Sequence, residues 1–206
     1  MSGWDDLFDN IRRNYQRIFR EDDATDAKSL VLVDEFHERA EGFRRAGDVI
    51  VDEIVENFNV HTQQMLPAVL TLYRQAAELY LKSMRLHLKR GISSRFAFNK
   101  EHDLLELWLP IESYLRSVGF GFEDGILHFR VAELVKELSG ADTYGDRFRY
   151  PDSRHPKASE GIWTNLEVLR LSIAELGLLT FGFPEIISLL RDQGVSNDTE
   201  TRHRGE

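Results

Sequence analysis

Arg149 and His155 stand with five residues between them inside the run DRFRYPDSRH, residues 146–155. An arginine holds a phosphate in a planar fork. A histidine moves protons near neutral pH. Together they are a minimal kit for cleaving a phosphodiester without a metal. The same run packs three arginines, two aromatics and two aspartates into ten positions. Pro151 bars a helix through its middle and pushes Tyr150 into an extended conformation. An extended run presents alternate side chains to opposite sides. Phe148 and Tyr150 are therefore expected to anchor on one side, with Arg147 and Arg149 on the other. Asp142, Asp146 and Asp152 are the carboxylates expected to hold the arginines bidentately. A second reading stands beside the chemical one. The stretch is then a structural latch, with its aromatics in a groove between helices and a buried Arg–carboxylate pair fixing the loop.

Two further polar groups could belong to the same chemistry. In LYRQAAELYLK, residues 72–82, Arg74, Glu78 and Lys82 are spaced by four. They form one stripe on a largely apolar helix. The stripe is either solvated or an inward seam packed against another helix or a second copy. In KEHDLLELW, residues 100–108, His102 and Asp103 open a helix. Asp103 suits the positive end of the helix dipole. His102 either caps and packs, or joins a site with the Arg74 stripe. Other chemistries find no support. No Gly-rich loop ends in Lys-Ser/Thr, and HERAE, residues 37–41, has Glu41 where a zinc-protease helix needs its second histidine. The seven histidines lack ligand spacing. No metal and no cofactor are expected.

The elements that must position these residues are helices. Residues 4–20 and 29–57 carry apolar side chains at helical spacing, with Gly42 and Gly47 inviting a bend in the second. NFNVHTQQ reads as a turn. Pro67 suits a first helical turn, and residues 66–90 are apolar on more than one face, as a central bundle helix is. Gly91 reads as its stop. Further helices are expected over about 102–118, with Pro110 kinking or splitting it, over 126–138 and over 159–181, and Pro184 opens a final short one. No segment alternates with a strand's period of two. The fold class predicted is all-α, an up-and-down bundle of five to six helices. Residues 1–60 are assigned to an N-terminal helical extension, 61–193 to the bundle and 194–206 to a disordered tail.

Composition bounds the function. The chain has 206 residues, 42% hydrophobic and 30% charged, and no cysteine, which excludes disulfide and thiolate chemistry. The opening stretch lacks the apolar core of a signal peptide and no run is long enough to span a membrane, so a cytoplasmic location without membrane partners is expected. A net charge of −9 argues against generic nucleic-acid binding. The charge is uneven, however. Residues 79–99 hold no acid but contain Lys82, Arg85, Lys89, Arg90 and Arg95, while 34–57 hold eight acids against three arginines. Either two opposite faces meet, or the basic run is a groove for a polyanion.

PAVLTLYRQAAELYLKSM, then HDLLELW, then DRFRYPD before a long helix resembles proteins of the HEPN superfamily, over about residues 66–182. The resemblance implies a helical bundle, often dimeric. Many members are metal-independent RNases of toxin–antitoxin or anti-phage systems. Their site is an Arg, four to six residues, then a His, at a cleft shared by two protomers. On that pattern Arg149 clamps phosphate and His155 is the acid/base, with Arg74, Glu78, Lys82, His102, Tyr150 and Asp152 supporting. Arg95 and His102 share the spacing but lie too early in the chain. Tyr150-Pro151 departs from the usual helical continuation of the motif. The partners implied are RNA, a second copy, and an antitoxin or other defence-system protein. The alternatives are a non-catalytic HEPN-like module binding a partner protein or nucleotide, and a helical oligomerisation scaffold.

Overall fold

The structure, a computed structural model, describes residues 35–97, 101–117, 126–142, 145, 147–149 and 164–192. Among the described residues every regular element is helical, as the apolar periodicity requires. Tyr150, Asp152, His155, Asp146, the 4–20 helix and the 194–206 tail lie outside them.

Helix α1 (Phe36–Glu56) buries Ala40, Gly47, Val51 and Ile54, one face of a 3.6-residue period. It runs unbroken through Gly42 and Gly47. A Cβ at Gly47 would stand 2.6 Å from Tyr73 Cε1, so this glycine lets the neighbouring helix come close. The NFNVHTQQ stretch holds a one-turn helix, α2 (Val60–Gln63). Asn59 and Thr62 close a reciprocal capping box there, with Asn59 Oδ1 accepting from Thr62 N at 3.2 Å and Thr62 Oγ1 from Asn59 N at 2.9 Å.

Helix α3 (Leu66–Gly91) opens with Pro67 in its first turn and is buried on nearly every side. Gly91 is its last residue rather than a stop beyond it. A Cβ there would meet Ile187 Cγ2 at 3.0 Å. A 3₁₀ turn (Ser94–Phe96) follows, then α4 (Leu104–Ser117), α5 (Ile126–Ala141) and α6 (Leu166–Asp192). Helix α3 is the axis: α1, α4, α6 and the 3₁₀ turn pack on it, while α5 bridges α4 and α6. The described residues belong to one compact unit, and α1, inside the 1–60 segment, packs along both α3 and α6.

Two prolines sit inside continuous helices. Helix α4 is not split at Pro110, and α6 runs through Pro184 as one helix starting at Leu166. A proline deprives the carbonyl four residues earlier of its N–H partner. For Pro110 that carbonyl belongs to Glu106, and the buried Arg85 of α3 supplies the missing donor from Nη1 at 3.2 Å. The same guanidinium donates to the Phe96 and Ala97 carbonyls, both at 2.9 Å. In α6 the turns around Pro184 are held by the burial of Leu179, Phe183 and Ile187, while the proline itself faces solvent. Asn165 sets the start of α6, its Oδ1 accepting from Glu167 N at 3.1 Å and Val168 N at 3.2 Å.

Candidate functional site

Spacing by four puts Arg74, Glu78 and Lys82 on one face of α3. The bundle encloses that face: Arg74 and Glu78 are each 3% exposed. Of the two readings of the stripe, the inward seam is the one observed. Buried charges need partners. Arg74 Nη1 donates to Glu78 Oε2 at 2.9 Å, and Lys82 Nζ to Glu78 Oε1 at 2.7 Å. Arg74 Nε donates to the Asp142 carbonyl at 3.1 Å and lies 3.5 Å from Asp142 Oδ2. Two cations and two carboxylates thus share the interior. Burial pushes the Glu78 pKa up, but Lys82's hydrogen bond and charge, the His102 hydrogen bond and the Arg74 charge together hold it below the ordinary carboxylate value.

The seam opens toward the start of α4. Asp103 Oδ1 accepts from Leu105 N at 2.8 Å and so caps that helix. It also accepts from Ser139 Oγ at 3.0 Å, which ties the start of α4 to the end of α5. This fixes His102, one residue before. Arg74 Nη2 donates to the His102 carbonyl, and His102 Nδ1 stands 3.0 Å from Glu78 Oε1. The His102 side chain is 62% exposed, so the ring joins a buried carboxylate to solvent.

Within the connection after α5, the described residues are turn and bend, not extended strand. Residues 147–149 are turn residues. Pro151 constrains the residue before it, Tyr150, and reaches no further back. Gly145 and Asp142 shape what precedes. Gly145 has φ +72°, the left-handed region, and a Cβ there would stand 3.1 Å from Arg74 Cζ. Asp142 Oδ1 accepts from Arg147 N at 3.1 Å, and Arg147 Nη1 donates to the Ala141 carbonyl at 3.0 Å. Asp142 therefore holds both Arg74 and the backbone of the turn. Phe148 is buried in the core, as an anchoring aromatic should be. Arg149 is exposed, and its Nη2 donates to the Gly145 carbonyl.

The structure thus brings Arg74, Glu78, Lys82 and His102 into one network. It places Arg149 on the glycine that packs against the Arg74 guanidinium. Comparison of the chain with family models, with curated proteins and with solved structures finds no match. The acid-free basic run is not one surface: Lys82 and Arg85 are buried, and Glu78 and backbone carbonyls take their donors. The acids of α1 are met elsewhere. Glu41 and Asp48 bind Arg44 of their own helix and the Tyr80 and Tyr73 hydroxyls of α3, at 2.6 Å and 2.7 Å.

Sequence reasoning did not foresee the Arg74 contact of Asp142 and passed over Gly145 and the role of Arg85. The available signals were slight. Gly145 is a lone glycine in a polar connection. Arg85 is a cation on a helix apolar all round, with a proline inside a neighbouring helix to be served.

Proposed function

We propose that this protein is a metal-independent endoribonuclease of the HEPN type, working in a toxin or anti-phage defence setting. The observation that carries the reading is that the Arg74 guanidinium touches both the exposed His102 and the glycine that accepts from the exposed Arg149. A phosphate-binding cation and an imidazole are thereby held on one rigid buried support. Pre-positioned groups of this kind stabilise charge without reorganising. Arg149 clamps the scissile phosphate and His155 serves as acid/base. Lys82, Arg74 and Glu78 hold the wall, and Tyr150 and Asp152 shape the approach. Arg149 is exposed beside the buried Arg74–Asp142 pair.

A second reading, a module that binds a partner protein, is favoured by one observation. Helix α6 exposes Val168, Leu171, Leu178 and Phe181, at 58%, 61%, 68% and 71%. Exposed apolar residues grouped on one helix mark interaction surfaces. On this reading a second copy or a defence-system protein covers that face.

The test is a cleavage assay of the full chain on total RNA and defined single strands, with EDTA present. Arg149→Ala and His155→Ala proteins, checked for equal folding, run beside it. Cleavage leaving 2′,3′-cyclic phosphate ends and lost in both variants is the expected result. Intact RNA with the wild-type protein overturns the ribonuclease reading and leaves the partner-binding module.

A further inference from the structure

We propose that Glu78 and His102 form a carboxylate–imidazole pair in which Glu78 fixes the ring and His102 Nε2 is the general base toward a ribose 2′-hydroxyl. The inference rests on the ribonuclease reading above and assigns one of its two proton transfers.

The geometry holds His102 at both ends. Its carbonyl accepts from Arg74 Nη2, and its Nδ1 faces Glu78 Oε1 at 3.0 Å. Rotation of the ring would break the second contact. Glu78 is buried while the imidazole is mostly in solvent, so a ring anchored at one nitrogen presents the other outward. The carboxylate is itself immobile. Lys82 Nζ sits on the same oxygen at 2.7 Å and Arg74 Nη1 on the other at 2.9 Å.

These contacts decide the tautomer. Glu78 is surrounded by cations and stays ionised, and an ionised carboxylate only accepts hydrogen bonds. Its partner nitrogen must therefore donate. A neutral imidazole has one N–H, so with Nδ1 protonated the lone pair lies on Nε2, the outward nitrogen. That is the base form. Free histidine side chains favour the opposite tautomer, with the proton on Nε2, so the pair leaves a spectroscopic signature.

The step balances without a co-reactant beyond water. The 2′-O–H bond breaks and its proton goes to Nε2. The 2′ oxygen bonds to phosphorus and the P–O5′ bond breaks. The leaving 5′ oxygen takes its proton from the acid of the ribonuclease reading, which regains one from water, and His102 returns its proton to solvent. The products are a 2′,3′-cyclic phosphate and a 5′-hydroxyl. His102 is the catalytic residue here, and Glu78 and Arg74 are positioning residues.

The test has a readout that needs no RNA. The full chain is labelled with ¹⁵N-histidine and the His102 ring is assigned by difference with His102→Gln. That substitution leaves the backbone carbonyl on Arg74 in place. Long-range ¹H–¹⁵N spectra at mildly alkaline pH are expected to show the Nδ1–H tautomer. An Nε2–H tautomer overturns the proposal whatever the protein does to RNA. In the cleavage assay His102→Gln should lose roughly 100- to 10,000-fold in rate, the usual contribution of a positioned acid or base. Glu78→Gln should shift the tautomer population and lower the rate by a smaller factor. If Glu78→Gln fails to fold, the wild-type spectrum and His102→Gln still decide. Wild-type cleavage that survives His102→Gln overturns the assignment while sparing the ribonuclease reading. Absence of wild-type cleavage overturns both.

Discussion

Arg85→Met should destabilise the protein by about 3 kcal/mol, for reasons that can be traced to single carbonyls. The Arg85 guanidinium reaches the carbonyls of Phe96, Ala97 and Glu106 at 2.9, 2.9 and 3.2 Å. Ala97 is exposed, so its carbonyl would find water. Phe96 is buried; Glu106 is an exposed residue, but its carbonyl faces the buried Arg85 and lacks a helix partner because Pro110 has no N–H. Each orphaned carbonyl costs about 1–3 kcal/mol, and methionine regains part of the packing. In a chain of 206 residues, a loss of 3 kcal/mol lowers Tm by about 6–12 °C. Arg85→Lys should cost less than Arg85→Met but more than nothing, since a single ammonium lacks the planar fork. The decisive assay is a double-mutant cycle by urea denaturation with Pro110→Ala, which returns an N–H to the Glu106 carbonyl. The two substitutions should couple by about 1 kcal/mol, with Pro110→Ala recovering stability in the Arg85→Met background that it does not add in the wild type. Strict additivity, within about 0.5 kcal/mol, would refute the idea that Arg85 serves the proline's orphan.

Three other outcomes follow from the packing. Gly145→Ala forces an alanine into φ +72° and against the Arg74 guanidinium; it should cost about 1–2 kcal/mol by thermal melting and lower cleavage by disturbing the turn that carries Arg149. Gly42 and Gly47 should respond oppositely to alanine: Gly42 has open space and should gain about 0.5–1 kcal/mol, whereas Gly47→Ala drives a methyl into the buried Tyr73 ring and should lose about 1–3 kcal/mol, both read from urea midpoints. Arg44's hydrogen bond leads the causes that lower the Glu41 pKa from 4.5 to about 2; burial opposes it, and the Tyr80 and Arg45 hydrogen bonds assist. Between those values the unfolded chain binds more protons than the folded one. Stability is therefore fully present above about pH 4.5 and is lost as pH falls toward 2. Glu41→Gln should flatten that acid limb, and an unchanged slope across the window would contradict the assignment.

The helices were legible because burial writes a 3.6-residue period into them, most plainly in α3, where Val69, Tyr73, Ala76, Ala77, Tyr80 and Met84 are all buried. Asp103 was legible as a helix start because capping is local chemistry. What escaped was whatever depends on a distant neighbour. Spacing by four places Arg74, Glu78 and Lys82 on one face but says nothing of what that face meets. The fate of Pro110 is decided by a guanidinium on another helix. At residues 147–149 the bias imposed by Pro151 was carried too far back along the chain, and the turn was set instead by Asp142 and Gly145 upstream. The residues that gather around the seam came from three separate stretches; that His102 joins the Arg74 stripe was one of two readings of its position, and spacing alone could not choose between them.

Arg74 has a consequence for how the molecule comes apart. Its contacts close loops of 28 residues to His102 and 68 residues to Asp142. Long loops are entropically costly to close early, and a cation sheds its water only when its partners are already in place. The α1–α3 packing closes loops of similar size, 25 residues from Asp48 to Tyr73 and 39 from Glu41 to Tyr80, but its apolar contacts need no buried charge to begin. Arg74 is therefore expected to engage after the rate-limiting step of folding, so that its substitution speeds unfolding more than it slows folding. The seam is a kinetic bolt: it does little to hasten assembly but slows escape, holding α4 and α5 to the axis against the transient openings that proteases exploit.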